Sequence, residues 1–260
     1  MASRKNRRLT DETITHFGLG FANKTPDDLY RYMRLKGYDD SILKETGLFF
    51  IEERGARDKF WNRVMFPIMD VNNKVIGFGG RVLGEGTPKY LNSPETLLFD
   101  KSRNLYGLNF GRTSRQPFMI ICEGYMDVIA MHQAGFTNAV SVPLGSTNFG
   151  WIEENWEWLE QFDSIIICSD NDEAGLKMQK ECIYRLGSWR TKVVEIPHFY
   201  IDEKTQTKRA INDLNEVLFY FGKEKVLELI LDAKESPVPG VVDFSDIEDI
   251  DLDALDGIPT

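Results

Sequence analysis

The sequence predicts an α/β protein: a parallel sheet covered by helices on both faces, preceded by a smaller α+β unit. Two observations carry the sheet. Residues 116–200 hold four continuously apolar, β-rich runs, at 118–122, 139–142, 164–168 and 192–196. Helix-like segments lie between or beside them, near 125–134, 150–161 and 173–187. Strands buried on both faces lose the polar–apolar alternation of half-exposed strands, and intervening helices make them parallel. A third observation marks the change of style upstream, where short helices give way to strands joined by a tight turn. The chain therefore divides into a basic α+β part at 1–115, a parallel-sheet part with closing helices at 116–235, and an acidic linker or tail at 236–260.

The elements follow in order. Arg4, Lys5, Arg7 and Arg8 form a basic arm, either a plain terminus or a contact for nucleic acid, with no apolar segment after it to make a signal peptide. Residues 10–48 read as helical: Leu29, Tyr32, Met33 and Lys36 recur at i, i+3, i+4 and i+7, and Thr25-Pro-Asp-Asp28 is a helix start. Strands are expected at 47–51, 63–69 and 75–78, with Asp70-Val-Asn-Asn-Lys74 as the hairpin turn. Gly77-Phe-Gly-Gly80 follows that hairpin without opening a helix, so a bend is expected there rather than a phosphate loop. In the second part, Cys122 and Cys168 read as buried strand thiols, and Trp151, Trp156 and Trp158 as packed on the sheet rather than stacked on bases. Gly145 is either a turn glycine or a gap left for metal or phosphate. Residues 211–233 read as a closing helix pair, and 236–260 carries seven acids and no bases.

The chain has 260 residues, 42% of them hydrophobic, which excludes wholesale disorder. No apolar run approaches the ~18 residues of a membrane span. Three cysteines stand singly and His16, His132 and His198 are scattered, which argues against a disulfide framework and a zinc site. A soluble, cytoplasmic protein with no membrane partner and no zinc is the expectation. The net charge of −10 is unevenly spread: 20 Lys and Arg face 14 Asp and Glu in residues 1–115, against 11 and 20 in 116–235. Such a distribution suits polyanions held by one part and metal cations by the other.

Ligands in parallel α/β sheets gather beyond the carboxyl ends of the strands. The first strand there ends in Glu123-Gly-Tyr-Met-Asp127, and the third in Asp170-Asn-Asp-Glu-Ala-Gly175. Glu123, Asp170 and Asp172 are thus expected at one sheet edge, where their mutual repulsion is relieved by a hard divalent cation. Gly124 lets the backbone turn sharply after the strand.

Glu-Gly after one strand and Asp-x-Asp after another, about 47 residues on, resembles the TOPRIM fold of primases, topoisomerases and some nucleases. Glu123-Gly-Tyr-Met-Asp127 is similar to the form in bacterial DnaG-type primases. So are Arg63-Val-Met-Phe-Pro-Ile68, Gly77-Phe-Gly-Gly-Arg-Val-Leu-Gly84, Pro88-Lys-Tyr-Leu-Asn-Ser-Pro-Glu-Thr96 and Leu105-Tyr-Gly107. Val140-Ser-Val-Pro-Leu-Gly145, Ile211-Asn-Asp-Leu-Asn215 and Leu255-Asp-Gly-Ile-Pro-Thr260 look like phage and mobile-element primase–helicases. The resemblance covers about residues 10–215.

It implies a DNA primase that joins NTPs into short RNA primers on single-stranded DNA with Mg²⁺ or Mn²⁺, alongside a fused or separate hexameric replicative helicase. By the same resemblance Asp170 and Asp172 hold metal, Glu123 is a further ligand or general base, and Asp127 is catalytic, one helical turn beyond. Asp213 is a further metal ligand, or simply an aspartate starting a helix. Arg63, Arg81, Lys89, Asn92 and Lys101 are implied to contact nucleotide and template, as guanidinium and ammonium groups suit phosphates. Two other classes stay open: a metal-dependent TOPRIM nuclease, and a non-catalytic single-stranded-DNA-binding module of a helicase.

Overall fold

The protein is described by a computed structural model over residues 9–143 and 149–236. The basic arm at 4–8, Gly145 and the acidic tail beyond Ser236 lie outside the described residues. Helix α1 (Asp11–His16) opens the fold, its N-terminus capped by the Thr10 hydroxyl accepting from the Thr13 N–H at 3.1 Å. It leads into β1 (Gly20–Ala22), α2 (Asp28–Leu35), α3 (Asp40–Glu45) and the hairpin of β2 (Phe49–Glu52) and β3 (Gly55–Asp58). A second hairpin, β4 (Arg63–Met69) and β5 (Val75–Val82), pairs with β1 and with β6 (Tyr90–Asn92) in an antiparallel sheet of order β1-β4-β5-β6.

The turn expected at 70–74 is present. Asp70 Oδ1 accepts the N–H groups of Asn72 and Lys74, and Asn73 takes φ of 62°, a conformation asparagine tolerates. Two expectations need correction. The stretch 10–48 is not helical throughout, because β1 interrupts it to join the antiparallel sheet; α2 is present as expected but buries no residue fully, with Leu29 and Tyr32 exposed. The helix is held instead at its N-terminus, where the Asp58 carboxylate accepts the N–H groups of Leu29 and Tyr30 at 2.8 Å each. Gly77–80 is the interior of β5, not a bend. A Cβ at Gly77, Gly79 or Gly80 would press on the rings of Phe99, Tyr125 and Phe60, so here glycine serves packing.

After α4 (Leu108–Gly111) the chain enters the second sheet through β7 (Phe118–Cys122), α5 (Tyr125–Ala134), β8 (Ala139–Ser141), α6 (Gly150–Glu154), α7 (Trp156–Leu159) and β9 (Ser164–Cys168). It continues with α8 (Glu173–Leu186), a 3₁₀ turn at Ser188–Arg190, β10 (Thr191–Val193), the hairpin β11 (Phe199–Ile201)–β12 (Lys208–Ala210), α9 (Leu214–Phe221), α10 (Lys223–Leu231) and β13 (Lys234–Glu235). The order is β13-β10-β9-β7-β8. The four longer strands run parallel and β13 is antiparallel at the edge.

The helix expected at 150–161 is two helices, broken at Asn155, whose Nδ2 donates to the carbonyls of Trp151 and Arg103. Trp151 and Trp158 are buried as expected, but Trp156 is 40% exposed. Strand β10 is shorter than the expected 192–196, and the β11–β12 hairpin carries no apolar pattern to announce it.

Both faces of the parallel sheet are dry. Along β7, Ile120 and Cys122 join one core with α5, α9, α10 and the antiparallel sheet. Met119 and Ile121 join another beneath α6, α7 and α8. Phe66, Ile68 and Phe99 of the first part share the former core with Val128 and Ile129 of α5. The two parts are therefore one packed body, each fully buried aliphatic or aromatic side chain contributing about 1.5–3 kcal/mol.

Candidate active site

Strands β7 and β9 are in register, Cys122 opposite Cys168, so the residues leaving their carboxyl ends emerge side by side. Glu123 follows β7, and its Oε2 accepts the Asp170 N–H at 3.2 Å. Asp170 Oδ2 in turn accepts from Asn212 Nδ2 at 3.3 Å. Asp172 caps α8, accepting the Gly175 N–H at 2.9 Å, and Asp213 caps α9, accepting the Glu216 N–H at 2.7 Å. Both aspartates thus keep acceptor capacity beyond the helix N-termini they hold.

The loop after β9 is fastened to the loop before α9. Asn171 donates its N–H to the Asn212 carbonyl at 2.8 Å, and its Nδ2 to the carbonyls of Ile196 and Ile211, each at 3.2 Å. Gly175 sits directly against the Asp170 backbone, where a Cβ would collide with the carbonyl oxygen. Asn171, Asn212 and Gly175 are the supports that sequence reasoning missed as individual residues. Their one sequence signal is that they lie in the same two motifs as the carboxylates.

The electrostatics are those of crowded, half-buried anions. Burial, followed by the charges of Glu123, Asp213 and Asp172, pushes the Asp170 carboxyl up to about 8, with Lys89 pulling the other way. Burial also raises Glu123, with the charge of Asp172 adding to it and the Asp170 N–H opposing. Among the described residues no three His, Cys, Asp or Glu side chains stand together as a ready-made metal cage. The donors are nonetheless hard carboxylate oxygens at an edge with excess negative charge. That chemistry fits Mg²⁺ or Mn²⁺, which complete their shell with water and substrate oxygens.

The other expected residues stand in different places. Lys89 comes near enough to oppose the charge on Asp170. Asn92, on β6, accepts the Tyr125 hydroxyl at 3.0 Å, while Arg81 lies over the Tyr90 ring with its centroid 5.5 Å away. Arg63 is buried, and its Nη1 donates to the carbonyls of Gly80, Pro88 and Lys89 at 3.2, 3.0 and 3.4 Å; it holds the segment that leads into β6. Lys101 lies near Lys59, whose ammonium is held below its ordinary range first by burial and then by that neighbour. Asp127 is buried on α5, where its Oδ1 accepts the Asn215 N–H at 3.2 Å. It clamps the start of α9, and so reaches the site through Asp213. The three cysteines are buried and form no disulfide.

Two family descriptions fit the two parts in order. "DNA primase catalytic core, N-terminal domain" matches residues 4–112, and "Toprim-like" matches 120–218. A Pseudomonas aeruginosa DNA primase domain superposes with a TM-score of 0.72 at 32% identity, over 90% of this chain and 72% of that one. The chain belongs to the DnaG primase family. The DnaG primase catalytic domain solved bound to ssDNA gives a TM-score of 0.70 at 32% identity, covering 90% of this chain and 71% of that one. Among curated proteins, the DNA primase of Clostridium acetobutylicum is 38% identical over 88% of this chain and 36% of its own length. That of Rickettsia felis is 43% identical over 80% and 33%. The chain thus spans about a third of the length of these DnaG relatives. No helix among the described residues is long and apolar enough to cross a membrane.

Proposed function

We propose that this chain is the catalytic core of a DNA primase, making RNA primers on a single-stranded DNA template by metal-dependent nucleotidyl transfer from NTPs. The observation that supports the reading is Asp170 at the end of β9, its N–H on Glu123 from the end of β7 and its carboxyl within electrostatic reach of Asp172, Asp213 and Lys89. Residues 1–115 then form the template- and NTP-binding part, and 116–235 the metal-binding catalytic part.

Primer extension needs a 3′-hydroxyl deprotonated as it attacks an α-phosphate, and pyrophosphate expelled in line with it. A bound divalent cation supplies charge neutralisation for phosphates and hydroxyl. Glu123, Asp170, Asp172 and Asp213 are the residues to hold it. Glu123, its pKa raised by burial, is either a further ligand or the base that takes the hydroxyl proton. Lys89 balances phosphate charge beside Asp170, and Asn92 and Arg81 line the approach from β5 and β6. Asp127 acts as a positioning residue for the α9 N-terminus. A hexameric replicative helicase, in the same polypeptide or separate, is the partner this activity serves.

The test is incorporation of labelled NTPs on single-stranded DNA with Mg²⁺ or Mn²⁺, comparing the chain with Asp170→Asn. Short oligoribonucleotides reduced at least about 100-fold in the variant are expected. Metal-dependent cleavage of the template without NTP incorporation would move the reading to a nuclease. DNA binding without any product would leave a binding module.

A further inference from the structure

The parallel-sheet part has a second conspicuous surface, on the flank carried by α6, α7 and the Ser188–Arg190 turn. Residues 116–176 contain no lysine or arginine. Within them α6 and α7 turn Trp151, Ile152, Trp158 and Leu159 inward and leave Glu153, Glu154, Trp156, Glu157 and Glu160 exposed. Glu154 pairs with Arg103 at 3.3 Å. Among the described residues Glu153, Glu157 and Glu160 make no ion pair.

Beside this acidic row stand two exposed indoles, Trp156 and, at 78% exposure, Trp189. Their ring centroids lie 5.2 and 5.5 Å from the guanidinium of Arg190. Arg190 is itself 95% buried by its 5% exposure, and it donates Nε to the Leu186 carbonyl and Nη1 to the Leu159 carbonyl, at 2.7 and 3.3 Å. Its Nη2 is buried with no acceptor. Burial lowers the pKa of the Arg190 guanidinium, with the charge of Glu160 opposing, and the guanidinium holds the two indoles in place.

We propose that this flank docks a peptide segment of a partner protein rich in lysine or arginine. Cationic side chains stack on the exposed indoles and meet Glu153, Glu157 and Glu160. The charge selects this occupant over others. Nucleic acid would bring phosphates against Glu153 and Glu157, which make no ion pair among the described residues. A second copy joined by a two-fold axis would set the same glutamates against one another. An indole carries a large contact area and a face that favours cations, which is what a protein contact of this kind uses.

The probe is a fluorescein-labelled lysine–glycine repeat peptide, titrated into the intact chain and followed by anisotropy, with a glutamate–glycine repeat as control. Binding of the lysine peptide alone is expected, weakened about fivefold by Trp189→Ala and lost on Glu157→Lys with Glu160→Lys. NTP incorporation should be unchanged in all of these variants. Trp189 is surface-exposed, and an unaltered melting temperature certifies its variant as folded. Equal affinity in Trp189→Ala would overturn the proposal, because it means that the acidic chain attracts the peptide elsewhere. So would an oligothymidylate affinity that Trp189→Ala removes, or a self-association in sedimentation that the same variant removes.

Discussion

At the scale of single residues, the site trades stability for function. Asp170 is ordinarily ionised above a pKa of 3.8, but in the fold it is pushed up to about 8 by burial and by three neighbouring carboxylates. A carboxyl whose folded pKa is raised costs nothing below its unfolded pKa, where both states are protonated. The penalty grows as pH rises from about 4 toward 8. At neutral pH without divalent cations, Asp170→Asn should therefore melt higher than the parent, by an amount equivalent to about 2 kcal/mol after allowance for solvent screening. Adding Mg²⁺ should raise the melting temperature of the parent and leave the variant nearly unmoved. Calorimetry across pH 4–8 checks both. A variant no more stable than its parent would mean that the carboxylates do not crowd one another. Gly175 illustrates the same economy: a residue with no side chain lets α8 begin against the Asp170 backbone.

At the scale of elements, the helices are fixed by their ends and by particular rings more than by amphipathic faces. α2 is anchored through Asp58. α5 is apolar all round because the parallel sheet, α9 and the first part enclose it. His132 belongs to that enclosure, packed edge-on to Phe17 and Phe110, with Nε2 3.1 Å from the Ala139 carbonyl. Burial first, and then the neighbouring His16, lowers its pKa from 6.5 to about 4, with the carbonyl contact opposing. The unfolded chain binds this proton below pH 6.5 and the folded chain does not. Stability should thus fall as pH drops from about 6.5 to 4, by about 3 kcal/mol at most, and level off below. Denaturation curves of the parent and His132→Leu over that range should diverge in slope. Parallel curves would show that His132 is not excluded from protonation.

At the scale of the whole molecule, the joint between the two sheets decides whether the basic residues reach the carboxylates. Tyr125, the residue after Glu123-Gly124, leaves the carboxylate edge of the sheet and lies against Gly79, with Phe66, Tyr90 and Tyr106 around it and its hydroxyl on Asn92. A methyl group at position 79 has no room beside that ring. Gly79→Ala should therefore lower stability by about 1–3 kcal/mol and cut primer synthesis more than tenfold. Metal-induced stabilisation should be preserved, since Asp170 and Asp172 lie on the other side of the joint. Parent-like synthesis in the folded variant would show that the joint does not set the site. The same joint brings Lys89 of the first part within electrostatic reach of Asp170 at the sheet edge.

The legible part of this protein is the part that repeats locally. Strands 118–122 and 164–168 and helix 125–134 follow from continuous apolar runs and the glycine that lets the chain turn after its strand. The hairpin at 70–74 follows from asparagines that accept a left-handed backbone. Glu123, Asp170 and Asp172 were readable for the same reason, because each stands at the end of a strand in a parallel sheet. What the tertiary structure alone decided depends on residues distant in sequence. Gly77, Gly79 and Gly80 became strand because rings from residues 60, 99 and 125 needed their space. Arg63 was spent on carbonyls, Asp127 on the α9 N-terminus and Asp58 on α2, because buried backbone groups must be paired wherever the chain happens to bring them. No local pattern encodes such pairing, since it arises only when separate segments exclude water from the same place.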